Sequence, residues 1–310
     1  MSHAVANQIL TSLETFLLGK RRQLEYALAC LLARGHLLIE DVPGVGKTTL
    51  AKCLAYSVHG NFKRIQFTSD LLPSDLIGVT VFLQKSGEFQ FQPGPIFTNV
   101  LLADEINRAN PKTQSALLEA MHDSQVSHDG RTMSLPDPFF VVATQNSKDN
   151  YGTFPLPESQ LDRFLMKVHL GYPDEAYEKR VIKGAYNQDF SATQSIDLDT
   201  LKRMQDEAAS VHVADEVTDY LYAIVRDTRN HPNVKVGVSP RGGQALFRAI
   251  QSLALIRGRT YAIPDDVLEL ALPVLGHRLI LKHHQVPGIA ADQAVRELFD
   301  ELLDRIVQPA

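Results

Sequence analysis

Nine residues, Asp41-Val-Pro-Gly-Val-Gly-Lys-Thr-Thr49, restrict the fold of this chain more than any other segment. They follow an apolar run, Leu37-Leu38-Ile39, and precede a helix-forming run from Leu50 to Ala55. Strand, glycine-rich loop and helix in that order describe a loop that wraps a phosphate. Small residues at Gly44 and Gly46 let backbone N–H groups curl around phosphate oxygens, and the helix beginning near Lys47 points its positive dipole end at the same charge. The residues expected to hold the nucleotide here are Pro43, Gly44, Val45, Gly46, Lys47, Thr48 and Thr49. Lys47 reaches the β- and γ-phosphates, and the Thr48 hydroxyl is a ligand for Mg²⁺. Asp41 stands where the usual spacing begins with glycine. A carboxylate aimed at a polyphosphate would repel it, so Asp41 is expected to point away from the loop.

A second segment supplies the other half of such a site. Asn99-Val-Leu-Leu-Ala-Asp-Glu105 is an apolar strand ending in two acids. A buried strand rarely ends in paired carboxylates without a cation or a reaction to serve. Asp104 is placed to hold Mg²⁺, directly or through water, opposite Thr48. Glu105 would polarise the attacking water. Phe139-Phe-Val-Val-Ala-Thr-Gln-Asn146 reads as another buried strand, and the Asn146 amide at its end can bridge that water and the γ-phosphate. Leu161-Asp-Arg-Phe-Leu165 sets Arg163 beside an apolar patch, and Val238-Ser-Pro-Arg-Gly-Gly-Gln244 sets Arg241 in the first turn of a helix. Two arginines can offset charge building on the γ-phosphate, one in cis and one from a neighbouring chain.

In this order, the residues carry a family resemblance. From about Phe16 to His284 the chain resembles the MoxR family of AAA+ ATPases. The most specific pieces are Glu40-Asp-Val-Pro-Gly-Val-Gly-Lys-Thr48, Ala103-Asp-Glu-Ile-Asn-Arg-Ala109, Lys112-Thr-Gln-Ser-Ala-Leu-Leu-Glu-Ala-Met121 and Val238-Ser-Pro-Arg241. The resemblance makes Lys47 and Thr48 Walker A, Asp104 and Glu105 Walker B, and Asn146 sensor 1. It makes Arg163 an arginine finger acting in trans and Arg241 sensor 2 on the lid. Phe16-Leu-Leu-Gly-Lys20 resembles the adenine-side loop, which puts Leu18 and Gly19 beside the base. An acid at position 41 is not unusual in such chains. The resemblance further implies bound ATP or ADP with Mg²⁺, a homo-hexameric ring, and action on a protein substrate. That action is chaperone-like remodelling, or maturation of complexes that carry a metal or cofactor, often with a von Willebrand A domain partner.

Strand patterns near Leu37–Ile39, Arg64–Thr68, Val100–Ala103, Phe139–Thr144 and Met166–Leu170 alternate with helical patterns. That alternation predicts an α/β fold, a three-layer P-loop NTPase core built on a mainly parallel sheet. Ligands of such sheets lie beyond the carboxyl ends of the strands, where the polar residues above fall. Helical periodicity from Leu10 to Leu32 breaks near Gly19. Residues 71–98 exceed a simple crossover and read as a short helix with small strands around it, similar to the helix-2 insert of this clade. Ser124–His128 and Arg131–Leu135 flank Asp129-Gly130, a strong hairpin signal, similar to the pre-sensor-1 hairpin. In a ring the two elements either face the pore, where a substrate would be gripped, or are solvent-exposed decorations. Residues 1–173 are read as the nucleotide-binding core and 174–310 as an all-α lid. The lid helices are expected over Ala176–Tyr186, Leu198–Val211, Asp215–Thr228, Gly242–Arg257, Asp265–Val274 and Asp292–Ile306, with starts at Pro240 and Pro264. His277-Arg278 and His283-His284 lack partners at ligand spacing and read as packing or surface residues. His277-Arg278 also resembles a lid segment without an assigned role.

Charge decides between classes of function. With 31 basic and 36 acidic residues and no basic cluster, the chain lacks the concentrated Lys and Arg that phosphate-backbone binding needs. This disfavours a nucleic-acid motor of the same clade. Glu105 and Arg163 serve hydrolysis and disfavour a scaffold that merely binds ATP. Cys30 and Cys53 lie in apolar helical runs and read as buried thiols. The N-terminus shows no secretory pattern, and no apolar stretch approaches the ~20 residues of a membrane span. The expected location is the cytoplasm.

Overall fold

The architecture is that of a computed structural model, which describes residues 2–146, 152–184, 189–190, 195–282 and 289–309, with the side chains of 289–291 left aside. Helices Ser2–Glu14 (α1) and Arg21–Leu32 (α2) precede strand Leu37–Glu40 (β1). Helix Lys47–Ser57 (α3) leads into Phe62–Gln66 (β2). Pro73–Ile77 (α4) and the pair Gly78–Leu83 (β3) and Glu88–Pro93 (β4) come before Val100–Asp104 (β5). A 3-10 turn at Ile106–Arg108 and helix Pro111–Asp123 (α5) lead to a second pair, Gln125–His128 (β6) and Arg131–Ser134 (β7). Phe140–Gln145 (β8), Glu158–Leu161 (α6) and Met166–Val168 (β9) complete the sheet region. The remainder is mostly helical: Glu175–Ile182 (α7), Leu198–Ala209 (α8), Asp215–Asn230 (α9), Pro240–Ile256 (α10), Pro264–Leu275 (α11) and Ile289–Arg305 (α12), with short strands Val234–Val236 (β10) and Ile280–Leu281 (β11).

Five parallel strands form the central sheet in the order β2-β5-β8-β1-β9. Both faces of the inner strands β1, β5 and β8 are covered, which is why they read as continuous apolar runs, whereas the edge strand β2, Phe-Lys-Arg-Ile-Gln, is partly exposed. Leu37, Ile39, Val100, Leu102, Phe140 and Val142 face the cluster that contains α1, α2 and α3. Leu38, Leu101, Ala103, Val141 and Ala143 face the cluster that contains α4 and α5. The first cluster runs on without a break into the helical part through Leu201, Met204, Leu246, Ile250, Leu270 and Val274. Polar ties reinforce that contact. Gln205 Nε2 donates to the Leu31 carbonyl at 2.9 Å, and Arg257 pairs with Glu25 at 3.2 Å and Glu269 at 2.8 Å.

The expected starts of α10 and α11 are present. Ser239 accepts from Gly242 N, and Asp266 accepts from Ile263 N at 3.0 Å. The first helix begins earlier than its pattern suggests, at Ser2, burying Ala6, Ile9, Leu10 and Leu13. The end of the expected Ala176–Tyr186 helix and the His283-His284 pair lie outside the described residues. The lid, expected to be all-α, also carries the antiparallel ribbon β10–β11. Its strands are three and two residues long and far apart in the chain, too short to show a period of two.

Both decorations take the expected form. Residues 71–98 fold into α4 and the β3–β4 hairpin, and β6–β7 turns on Asp129-Gly130. Asp129 at φ 50° and Gly130 at φ 72° are both left-handed, as a tight two-residue hairpin requires. The hairpins touch: Thr80 Oγ1 donates to Asp129 Oδ2 at 2.8 Å, and the Phe91 and His128 rings lie 5.1 Å apart. Among the described residues no helix is long and apolar enough to cross a membrane.

Candidate functional site

Parallel register brings the predicted polar residues to one edge of the sheet. Glu40 of β1 pairs with Gln145 of β8, and Ala103 of β5 pairs with Ala143 of β8. The phosphate loop, Asn146 and Asp104-Glu105 therefore emerge side by side at the carboxyl ends of three adjacent strands. Asn146 is half-buried between the other two. Side chains of alternating residues set the face: Asp104 follows Leu102 and Val100 onto the side covered by α3, whose first turn holds Lys47, Thr48 and Thr49.

Gly46 caps α3 at φ 101°, in the left-handed region. A Cβ there would also meet Leu17 Cδ2 at 2.6 Å, so the turn between α1 and α2 lies directly on the phosphate loop. That places Leu18, half-buried, and Gly19 next to it. The Gly19 backbone, at φ 71°, lies under the Tyr177 ring of α7 at a distance that leaves no room for a side chain. Val45 is buried in the core cluster, so it offers a ligand its backbone only, whereas Pro43 and Gly44 are exposed. The Asp41 carboxylate does turn from the loop. Its Oδ2 accepts from Gly171 N at 2.6 Å and its Oδ1 from Val42 N at 2.8 Å, fixing the chain that leaves β9. Lys47 Nζ donates to the Asp41 carbonyl at 2.7 Å. Partial burial pulls its ammonium below the usual lysine range, against the attraction of Asp41, Asp104, Glu105 and Glu40.

Each acid of the pair has protein partners. Asp104 accepts from Thr144 Oγ1 at 2.6 Å on Oδ1 and from Arg64 Nη2 at 2.7 Å on Oδ2. Glu105 has a left-handed backbone, φ 55°, held by its N–H donating to Thr144 Oγ1 at 2.9 Å. Such a conformation in a non-glycine residue is uncommon and clusters at functional sites. Its Oε2 lies 2.8 Å from Arg108 Nε. Thr144, Arg64 and Arg108 were not singled out from the sequence. Thr144 follows Phe140-Val-Val-Ala143 in a run that reads as plain strand, and its pairing and that of Arg64 depend on contacts 40 residues apart, whereas Arg108 is three residues from Glu105 in the 3-10 turn. The oxygen donors Thr48 and Asp104 suit a hard cation such as Mg²⁺, and each Asp104 oxygen keeps a lone pair for a metal-bound water. Among the described residues no group of three or more His, Cys, Asp or Glu could hold a metal by itself.

The two arginines lie elsewhere. Arg163, half-buried, and Arg241, exposed, line one cleft of about 740 Å³ together with Arg34, Arg229, Arg248 and Arg278. Gly35, His36 and Leu165, which lead into β1 and β9, form part of its wall. This is the amino-terminal edge of the sheet. Four residues of β1, about 13 Å of extended chain, separate it from the phosphate loop. The division into one arginine in cis and one from a neighbour is therefore not what the geometry offers: both belong to the face opposite the loop. Arg278 joins them. It is buried, donates from Nε to Asp162 Oδ1 at 2.7 Å and from Nη2 to the Phe164 carbonyl at 2.6 Å, and grips the turn that carries Arg163. A Cβ on Gly242 would meet Arg278 Cδ at 2.9 Å, so the same side chain lies against the first turn of α10, next to Arg241. His277 Nε2 bonds the Phe164 carbonyl at 3.1 Å. The segment without an assigned role thus packs between the turn that carries Arg163 and the first turn of α10, which carries Arg241.

Comparisons with known proteins agree with this fold. Residues 36–166 match the model of the ATPase family associated with various cellular activities (AAA), and residues 226–298 match the AAA lid domain. The uncharacterized protein YeaC of Bacillus subtilis is 47% identical over 301 residues, covering 96% of this chain and 93% of its own. Chaperone MoxR1 of Mycobacterium tuberculosis is 42% identical, covering 94% of this chain and 78% of its own, and protein MoxR of Paracoccus denitrificans is 31% identical, covering 99% and 97%. A crystal structure from Cytophaga hutchinsonii, of a protein proposed to be an ATPase, superposes with a TM-score of 0.89 at 33% identity, covering all of this chain and 97% of that one.

Proposed function

Because the chain belongs to the MoxR family of AAA+ ATPases, we propose that its phosphate loop and paired acids form half of an ATP site, completed by Arg163 and Arg241 of the next copy in a six-membered ring. The observation that carries this reading is the shared arginine cleft at the sheet edge away from the loop. Two cationic side chains on that edge cannot reach their own γ-phosphate, but they suit a phosphate presented by a neighbour.

In this reading Lys47 and the backbone N–H groups of residues 44–48 bind the β- and γ-phosphates, with Leu18 and Gly19 at the base. Thr48 and Asp104 would hold Mg²⁺, which supplies neutralisation of phosphate charge. Glu105 takes the proton of the attacking water or orients it, and Asn146 fixes that water against the γ-phosphate. Arg163 and Arg241 of the neighbour meet the charge that develops as the γ-phosphoryl leaves in line, an arrangement worth roughly 10³–10⁵ in rate where it operates. Loss of the γ-phosphate frees both arginines together, because Arg278 joins their segments, and hydrolysis becomes motion between copies.

The work done is remodelling or maturation of protein complexes in the cytoplasm, with a von Willebrand A domain protein as the expected partner. The relative called Chaperone MoxR1 supports a protein substrate. Glu105→Gln tests the hydrolytic half. The variant should bind ATP as the wild type does, measured by calorimetry, and lose turnover by at least about a hundredfold. Equal loss of binding would mean that Glu105 has a different role.

A further inference from the structure

Arg64 stands on the edge strand β2, and its position follows from register. Gln66 pairs with Asp104 and Arg64 with Leu102, so Arg64 is the diagonal neighbour of Asp104 on the same face of the sheet. Its Nη2 donates to Asp104 Oδ2 at 2.7 Å and to Gln66 Oε1 at 3.2 Å. The side chain is about half exposed, whereas the Asp104 side chain is 13% exposed. An exposed arginine therefore reaches inward to a largely buried acid whose other oxygen is taken by Thr144. Neutralisation explains the reach, since a carboxylate withdrawn from water needs a counter-charge.

We propose that Arg64 is the counter-cation of Asp104 in the metal-free site and competes with Mg²⁺ for it. The proposal rests on the reading of Asp104 as a Mg²⁺ residue given above. Arg64 is then a positioning residue: it acts on the cation only through Asp104. Two positive charges near one carboxylate repel, so the guanidinium opposes loading of the cation even where a lone pair is open, and its exposure lets it swing toward solvent to relieve that repulsion. The site would take up Mg²⁺ with the nucleotide, whose phosphates compensate the added charge, and resist the metal alone.

The test titrates Mg²⁺ into full-length protein with a fluorescent ADP derivative at fixed concentration, reading bound fluorescence and no turnover. Arg64→Gln should reach half-saturation at roughly three- to tenfold less Mg²⁺ than the wild type, the range expected for removing one charge at a partly exposed site. Arg64→Lys should titrate as the wild type does. In an Asp104→Asn background the Arg64→Gln change should shift nothing further. Superimposable wild-type and Arg64→Gln titrations would overturn the proposal. So would a need for more Mg²⁺ in Arg64→Gln, which would mean that Arg64 merely builds the shape of Asp104. A wild-type protein that binds no nucleotide at any Mg²⁺ concentration would instead remove the reading of the site itself, and the proposal with it.

Discussion

His36 illustrates how a single side chain is committed by its surroundings. It is buried where the chain enters β1, its Nε2 bonds the Met121 carbonyl at 3.0 Å, and its Nδ1 accepts from Val141 N at 3.1 Å. One ring nitrogen must therefore donate and the other accept, which only the neutral ring can do. Burial lowers its pKa to about 4, and His277 shifts in the same direction through burial and the adjacent Arg278 charge. A folded pKa below the unfolded value of about 6.5 gives stability that is fully present above pH 6.5 and lost as pH falls toward 4. Denaturant unfolding should show about 2 kcal/mol less stability at pH 5 than at pH 7 from His36 alone. Gln at position 36, which can donate and accept without titrating, should flatten that dependence, and an unchanged slope in His36→Gln would contradict it. At this scale the sequence reached the residues whose role is set by their own neighbours in the chain: Lys47 and Thr48 by the glycine loop, Asp104 and Glu105 by the strand before them. The roles of Thr144, Arg64 and Arg278 escaped it because each acts through a contact between residues 40 or more apart, from Thr144 with Asp104 to Arg278 with Asp162.

Elements are joined to the site by buried charge as well as by packing. Lys167 of β9 lies between Glu40, at the end of β1, and Asp292 of α12, with Nζ at 2.9 and 2.6 Å. Burial opposes its charge, but the two carboxylates outweigh that cost and raise its pKa. The ammonium thus ties the last helix to the residue next to the phosphate loop. Lys167→Met would leave two acids facing each other without a cation. It should cost about 2–3 kcal/mol in denaturant unfolding, below the full buried-pair range because Asp292 is partly in water. Asp292→Asn, which leaves Lys167 its Glu40 partner, should cost clearly less, and equal losses would show that the triad is not the link. The five strands of the sheet, the insert and the Asp129-Gly130 hairpin were legible because each carries its own period or turn signal. The ribbon β10–β11 and the docking of α12 on β9 carry none, being fixed by tertiary contact alone.

The whole molecule is asymmetric in a way that matters for its chemistry. The phosphate loop and paired acids gather at the carboxyl edge of the sheet and the two arginines at the amino edge; under the proposed function these are two unlike halves of one site. Motif order supplied all the parts but not their side of the sheet, since the packing of α10 on α2 decides where Arg241 lies. Copies arranged head to tail would bring the halves together, which is the heterologous contact that closes into rings. The most direct measurement mixes two variants that should each be inactive alone. One is Glu105→Gln, with an intact arginine face; the other is the double variant Arg163→Ala and Arg241→Ala, with an intact loop and acids. Mixed at concentrations where the protein assembles, they should regain ATPase activity, because the arginines of the first complete the site of the second. A mixture no more active than the sum of its parts, with assembly verified by light scattering, would contradict a site shared between copies.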